Sequence, residues 1–225
     1  INYENSIIEI NRYGFTEPLK NKINKNKLVE VKDLFDNHLD IIFKGKRKFW
    51  MSISTTTIGI MMIGGGLEVK TTEIDKISEV LSFIELFSRN DQLLYGYLSS
   101  EDEYDDKHKI IEGSGVSWKG VSQWDFLEFL PGVHWYSIFG KELVNSIGQD
   151  VFNNLKDVIF TNPDNQSIAF HLKSPVENND SRMKELENIE TQIGKKCFFN
   201  KNSKESNYSH PDSYKKYLKS FGRGY

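Results

Sequence analysis

At 225 residues, with 38% hydrophobic and 13% aromatic side chains, the chain holds ample apolar material for a packed core. A formal net charge of -3 and an isoelectric point near 6.0 argue against a general nucleic-acid binder, which presents a basic face. No apolar run approaches the roughly 18 residues of a membrane-spanning helix, and a single cysteine, Cys197, rules out an internal disulfide.

Ile7-Ile8-Glu9-Ile10 suggests a short strand followed by a polar arm to Lys27. From there the apolar residues Leu28, Val31, Phe35, Leu39 and Ile42 keep the spacing of an amphipathic helix, with Lys44 to Lys48 as a basic exit. Phe49 to Ile63 is rich in β-branched residues and reads as a strand bent at Gly59. Gly64-Gly65-Gly66 then turns the chain into a strand at Leu67–Lys70. A helix capped by Thr71 or Thr72 runs to Ser88, with Ile74, Ile77, Leu81, Ile84 and Phe87 on one face. Leu93–Leu98 is the next expected strand, and the acidic run Glu101 to Asp106 follows it.

Gly113 to Gly120 is loop-like, and Trp118 and Trp124 flank the approach to Pro131. Short helices are expected at Glu142–Ile147 and Asp150–Leu155. A hairpin of Val158–Thr161 and Ser167–Leu172 is expected around Asn162-Pro163-Asp164-Asn165, which is strong turn chemistry. A last helix spans Arg182 to Ile193, with Met183, Leu186, Ile189 and Ile193 inward and Gly194 as its stop. Strands and helices alternate without a βαβ rhythm. The expected fold is therefore α+β, a mixed or mainly antiparallel sheet covered by helices in a single domain. The arm is placed at 1–27, the domain at 28–200 and a polar tail at 201–225.

Catalytic signatures are hard to find. Gly64-Gly65-Gly66 follows a strand but opens no helix, so a hairpin turn explains it better than a phosphate loop. Gly140-Lys141 leads into Glu142, and Trp135 stands where a P-loop needs glycine. His38, His108, His134, His171 and His210 lack metal-ligand spacing, and neither Ser54 nor Ser114 sits in a nucleophile elbow. His134, beside Trp135 and Tyr136, reads first as a core histidine bonded to a backbone carbonyl and second as a catalytic base.

The acidic run offers three readings. It is a solvated loop, a docking surface for a basic partner formed by Glu101, Asp102, Glu103, Tyr104, Asp105 and Asp106, or a cation site. In the last case an extended chain would set Glu101, Glu103 and Asp105 on one face. A docking patch of this charge would speed association more than deepen affinity. Tyr95, Tyr97, Tyr104 and Tyr136 add candidate interface anchors.

The run Pro131-Gly132-Val133-His134-Trp135, then Phe139-Gly140-Lys141-Glu142-Leu143-Val144 and Ile147-Gly148, resembles a signature of bacterial immunity proteins from polymorphic-toxin and type VI secretion systems. The nearest group is the immunity protein 52 type with its related type VI immunity domains. Ile193-Gly194 ahead of Phe198-Phe199 is similar to a later element of that signature, and the resemblance covers about residues 49 to 200. Lys141 departs from it, standing where many relatives carry proline.

The resemblance implies a non-enzymatic protein that binds and neutralises a cognate toxin, and it transfers no contact residue. The expected partner is a toxin protein, with no nucleic acid, membrane, cofactor or metal, and a homodimer stays open. The expected compartment is the cytoplasm, with the periplasm left open because the chain begins at Ile1. The alternatives are a small hydrolase using carboxylates with His134, and an interaction domain outside toxin systems.

Overall fold

The computed structural model describes residues 8–23, 27–46, 48–55, 61–69, 76–88, 93–108, 110–112, 115–117, 130–161, 166–174 and 180–199. The architecture is α+β, built on antiparallel sheets, as the alternation of elements predicts. The chain divides into two compact units, residues 1–84 and 85–225, each centred on its own sheet.

The first unit holds β1 (Ile10–Gly14), β2 (Asn21–Lys22), α1 (Leu28–His38), β3 (Asp40–Gly45), β4 (Trp50–Thr55), β5 (Met61–Gly66) and the start of α2 (Ile77–Ser88). Its five strands lie in the order β2-β1-β3-β4-β5. Tyr13 anchors α1 to β1, its hydroxyl donating to Glu30 Oε2 at 3.0 Å.

Helix α1 stops one turn short of the apolar spacing. Leu39 adopts a left-handed conformation at φ 55° and donates its N–H to the carbonyl of Phe35. Ile42 and Lys44 consequently belong to β3, where they pair with Ser52 and Trp50. The triple glycine is likewise not a turn. Gly64, Gly65 and Gly66 lie inside β5 opposite Ser52, Met51 and Trp50. A Cβ on Gly65 would stand 2.6 Å from the carbonyl oxygen of Trp50, so these two backbones approach too closely for a side chain. The strand expected at Leu67–Lys70 is irregular where described, and the bend at Gly59 and the cap at Thr71 or Thr72 lie outside the described residues.

The second unit holds the remainder of α2, β6 (Tyr95–Leu98), α3 (Glu101–His108), β7 (Ile110–Glu112), β8 (Gly115–Ser117) and β9 (Tyr136–Phe139). It continues with α4 (Lys141–Ile147), α5 (Gln149–Asn153), β10 (Val158–Thr161), β11 (Ile168–Leu172), α6 (Asp180–Ile193) and a short 3₁₀ turn at Lys195–Cys197. Its main sheet runs β10-β11-β9-β6, every neighbour antiparallel, while β7 and β8 make a separate hairpin. Trp118, Trp124 and the 201–225 tail lie outside the described residues.

Strand β9 is the centre of this unit, and no periodicity announces it. Tyr136, Ser137, Ile138 and Phe139 are all buried, so the period of two that marks a half-exposed strand is absent. Phe139 packs against Phe152 of α5 with ring centroids 5.0 Å apart and against Tyr95 of β6 at 5.2 Å. Leu186 and Ile189 of α6 are buried with them, and fully buried aromatics contribute the largest apolar areas to such a core.

Strand β9 passes into α4 through Gly140, whose N–H donates to the carbonyl of Leu94 at 2.8 Å. An added Cβ would stand 1.7 Å from the carbonyl oxygen of Leu93, so only glycine fits this crossing. Helix α6 ends as expected, with Gly194 donating to the carbonyl of Glu190 at 2.8 Å. Among the described residues, no helix is long and apolar enough to cross a membrane.

Candidate functional site

Between Leu130 and β9 the chain runs through Pro131-Gly132-Val133-His134-Trp135, which belongs to no strand and makes one ladder-like contact among the described residues, the Trp135 carbonyl accepting from the Leu172 N–H at 2.9 Å. Buried main-chain groups must then be satisfied by side chains. Tyr95 Oη donates to the Gly132 carbonyl at 2.6 Å, and Glu190 Oε1 accepts the Val133 N–H at 2.9 Å. Ser137 Oγ accepts from His134 N at 2.9 Å, and Glu103 Oε1 accepts from Trp135 N at 2.9 Å. The Trp135 indole donates to the Ser174 carbonyl at 2.8 Å. Hooks from β6, α3, α6 and the end of β11 thus hold one turn, and every residue from Leu130 to Gly140 is buried.

Charged groups gather around it. Glu103, His134 and Arg182 have no exposed surface. His134 Nδ1 lies 3.0 Å from Glu103 Oε1, and an Arg182 guanidinium nitrogen lies 3.8 Å from Glu103 Oε2. Lys107 Nζ meets Glu190 Oε1 at 2.5 Å with both side chains mostly covered. Gly132, at φ +150°, makes room for that pair, because an added Cβ would fall 2.8 Å from Lys107 Nζ and 2.9 Å from Glu190 Oε1.

Burial pushes the Glu103 carboxyl up to about 7, against the lowering influence of the Trp135 N–H, Arg182 and Lys107. Burial likewise holds His134 well below 6.5, reinforced by the positive charge of Lys107 and by His108, so its ring is neutral at neutral pH. A stack of rings continues outward. His134 lies on Tyr97 at 4.0 Å, His108 stands 5.7 Å from His134, and Tyr104 covers His108 at 4.1 Å while 43% exposed.

The acidic run is a helix, α3, not a loop or an extended chain. Helical geometry splits the six residues expected on a docking surface. Glu101, Asp102, Tyr104 and Asp106 are exposed and Asp105 is half-buried, but Glu103 points into the core beside His134 and is corrected to an interior residue. The one-face alternation of Glu101, Glu103 and Asp105 does not form, since that period of two belongs to strands. His134 is a core histidine as expected, bonded to a carboxylate where a backbone carbonyl was anticipated.

Sequence reasoning missed Lys107, Arg182 and Glu190 as partners of this turn. The signal was present in α6, where Arg182 precedes Leu186 by four residues and Ile189 by seven and therefore shares their inward stripe.

Elsewhere a cleft of about 280 Å³ is lined by Asp157, Lys173, Ser174, Glu185 and Asn188. Four of its polar side chains meet in pairs, Ser174 Oγ donating to Glu185 Oε2 at 2.9 Å and Lys173 lying 3.8 Å from Asp157. Among the described residues, no three His, Cys, Asp or Glu side chains stand together to hold a metal ion. Compared with known protein families, with characterised proteins and with solved structures, the chain matches none.

Proposed function

We propose that this chain is an immunity protein, binding a cognate bacterial toxin in the cytoplasm of the producing cell and blocking its activity without chemistry of its own. The observation that carries the reading is the placement of the ionisable groups. Within the cluster around the Pro131–Trp135 turn, Glu103 and His134, whose acidities burial shifts, have no exposed surface. The exposed carboxylates Glu101, Asp102 and Asp106 lie around exposed Tyr104 on α3. Such a face suits a partner with a basic surface, because it steers encounter electrostatically while the tyrosine supplies contact area.

The resemblance of the Pro131–Gly148 stretch to immunity-protein signatures supports the same reading, and it accounts for that stretch as a folding core. A hydrolytic role for His134 is less favoured, because a general base must come within hydrogen-bond reach of its substrate, and this ring is enclosed on all sides.

Co-purification with the product of the neighbouring gene, followed by a toxicity-rescue assay, tests the proposal. A stable complex and restored growth are the expected results. A chain that neither binds nor protects against that product would end it.

A further inference from the structure

Helix α3 is an unusual element to find docked on a core. It is eight residues long, reads EDEYDDKH, and contains no aliphatic side chain. Isolated helices this short are not stable in water, so α3 is held by whatever its inner face contacts. That face presents Glu103, Lys107 and His108, which reach the Trp135 N–H and His134 ring, Glu190, and the aromatic stack respectively. Glu103 makes two of these contacts and is the deepest, with no exposed surface.

We infer that Glu103 is the positioning residue of α3, and that its protonation state sets how firmly the helix, with its outward acidic face, is held in place for a partner. The consequence for a partner rests on the docking role proposed above, whereas the coupling itself lies within this chain.

The groups facing Glu103 come from every element around it. They are His134 and the Trp135 N–H from the turn, Arg182 and Glu190 from α6, Lys107 from α3 itself and Tyr95 from β6, with Tyr97 and His108 stacked against the His134 ring. The contact with His134 survives a change of charge. As a carboxylate, Glu103 accepts the Nδ1–H of neutral His134; as an acid, it donates its own proton to Nδ1 of the other tautomer. What changes is whether an anion is buried.

Held in the core, the carboxyl titrates near 7; with α3 lifted into water it returns to an ordinary 4.5. Between those values the docked helix keeps a proton that the lifted helix has released. Docking is therefore firmest on the acid side, weakens as pH rises through that window, and levels off above about 7. From pH 6 to pH 8 the same linkage makes lifting about tenfold more frequent.

Amide hydrogen exchange on the whole chain, corrected for the intrinsic effect of pH, measures this directly at α3. In the wild type, opening of α3 should rise about tenfold from pH 6 to pH 8 relative to Glu103→Gln, which keeps a hydrogen-bonding amide but has no proton to lose. Because His108 and His134 are present in both proteins, the comparison isolates Glu103. Identical pH dependence in the two would overturn the inference. Should Glu103→Gln not fold, a carbon-13 titration of the Glu103 carboxyl in the unmodified chain decides. A midpoint near 7 supports the coupling, and one near 4.5 overturns it. A chain that shows the coupling yet protects no cell refutes the immunity reading and leaves the proton linkage standing.

Discussion

Truncating Glu103 to alanine tests whether the buried cluster holds the second unit together. The change strands two buried polar groups, the Trp135 N–H at 2.9 Å and His134 Nδ1 at 3.0 Å. Each buried group left without its partner costs about 1–3 kcal/mol. It also empties the space of a side chain with no exposed surface, and a cavity left in a core adds to the cost. Two unpartnered groups and the cavity together give about 4 kcal/mol as the loss at pH 6, where Glu103 is mostly protonated and its burial carries little charge penalty.

At pH 8 the wild type itself has given up part of this advantage. The folded chain holds a proton up to about 7 that the unfolded chain has released from 4.5 upward, so stability falls across that window. The tenfold factor between pH 6 and pH 8 corresponds to about 1.4 kcal/mol. Glu103→Ala should therefore cost about 4 kcal/mol at pH 6 and about 2.5 kcal/mol at pH 8. Urea unfolding followed by tryptophan fluorescence reads both. A loss below about 1 kcal/mol at pH 6 would refute the cluster's structural weight, and an equal loss at both values would refute the burial argument.

Gly140→Ala should destabilise the second unit by about 3 kcal/mol, since overpacking and a lost backbone hydrogen bond act together there; a melting temperature within a degree of wild type would contradict the 1.7 Å approach to Leu93. Reversing Glu101, Asp102 and Asp106 to lysine should leave stability within about 0.5 kcal/mol per site, because all three are exposed. The same triple change should slow association with the toxin by about tenfold at low salt, with the difference shrinking as salt is added. Stopped-flow association at two ionic strengths distinguishes this from an unchanged rate, which would place the interface elsewhere.

Much of the fold was legible because local chemistry and final structure agree. The hairpin strands β10 and β11, the helices α4 and α5 and the Gly194 stop of α6 stand where periodicity and turn residues put them. The misreadings have physical causes. Leu39 and Ile42 fit a helical stripe, but Leu39 turns left-handed and the chain leaves as β3. The triple glycine that suggested a turn lies inside β5, where a neighbouring backbone leaves Gly65 no room for a side chain.

At the site, the acidic run was visible but its secondary structure was not, since EDEYDDKH has one aromatic and no aliphatic residue, too few to show a period. The inward turn of Glu103 depends on partners 31 and 32 residues away in the chain, which local pattern cannot supply. Only the inward position of Arg182 on the α6 stripe hinted that a buried charge awaited a counterpart.

The central claim is that this chain works by binding a toxin, and a purified-component titration against the product of the neighbouring gene tests it most directly. The account predicts a one-to-one complex at nanomolar affinity or tighter, about -12 kcal/mol or more favourable, with the toxin's activity lost in step with complex formation. Undiminished toxin activity in the presence of excess folded chain would contradict it.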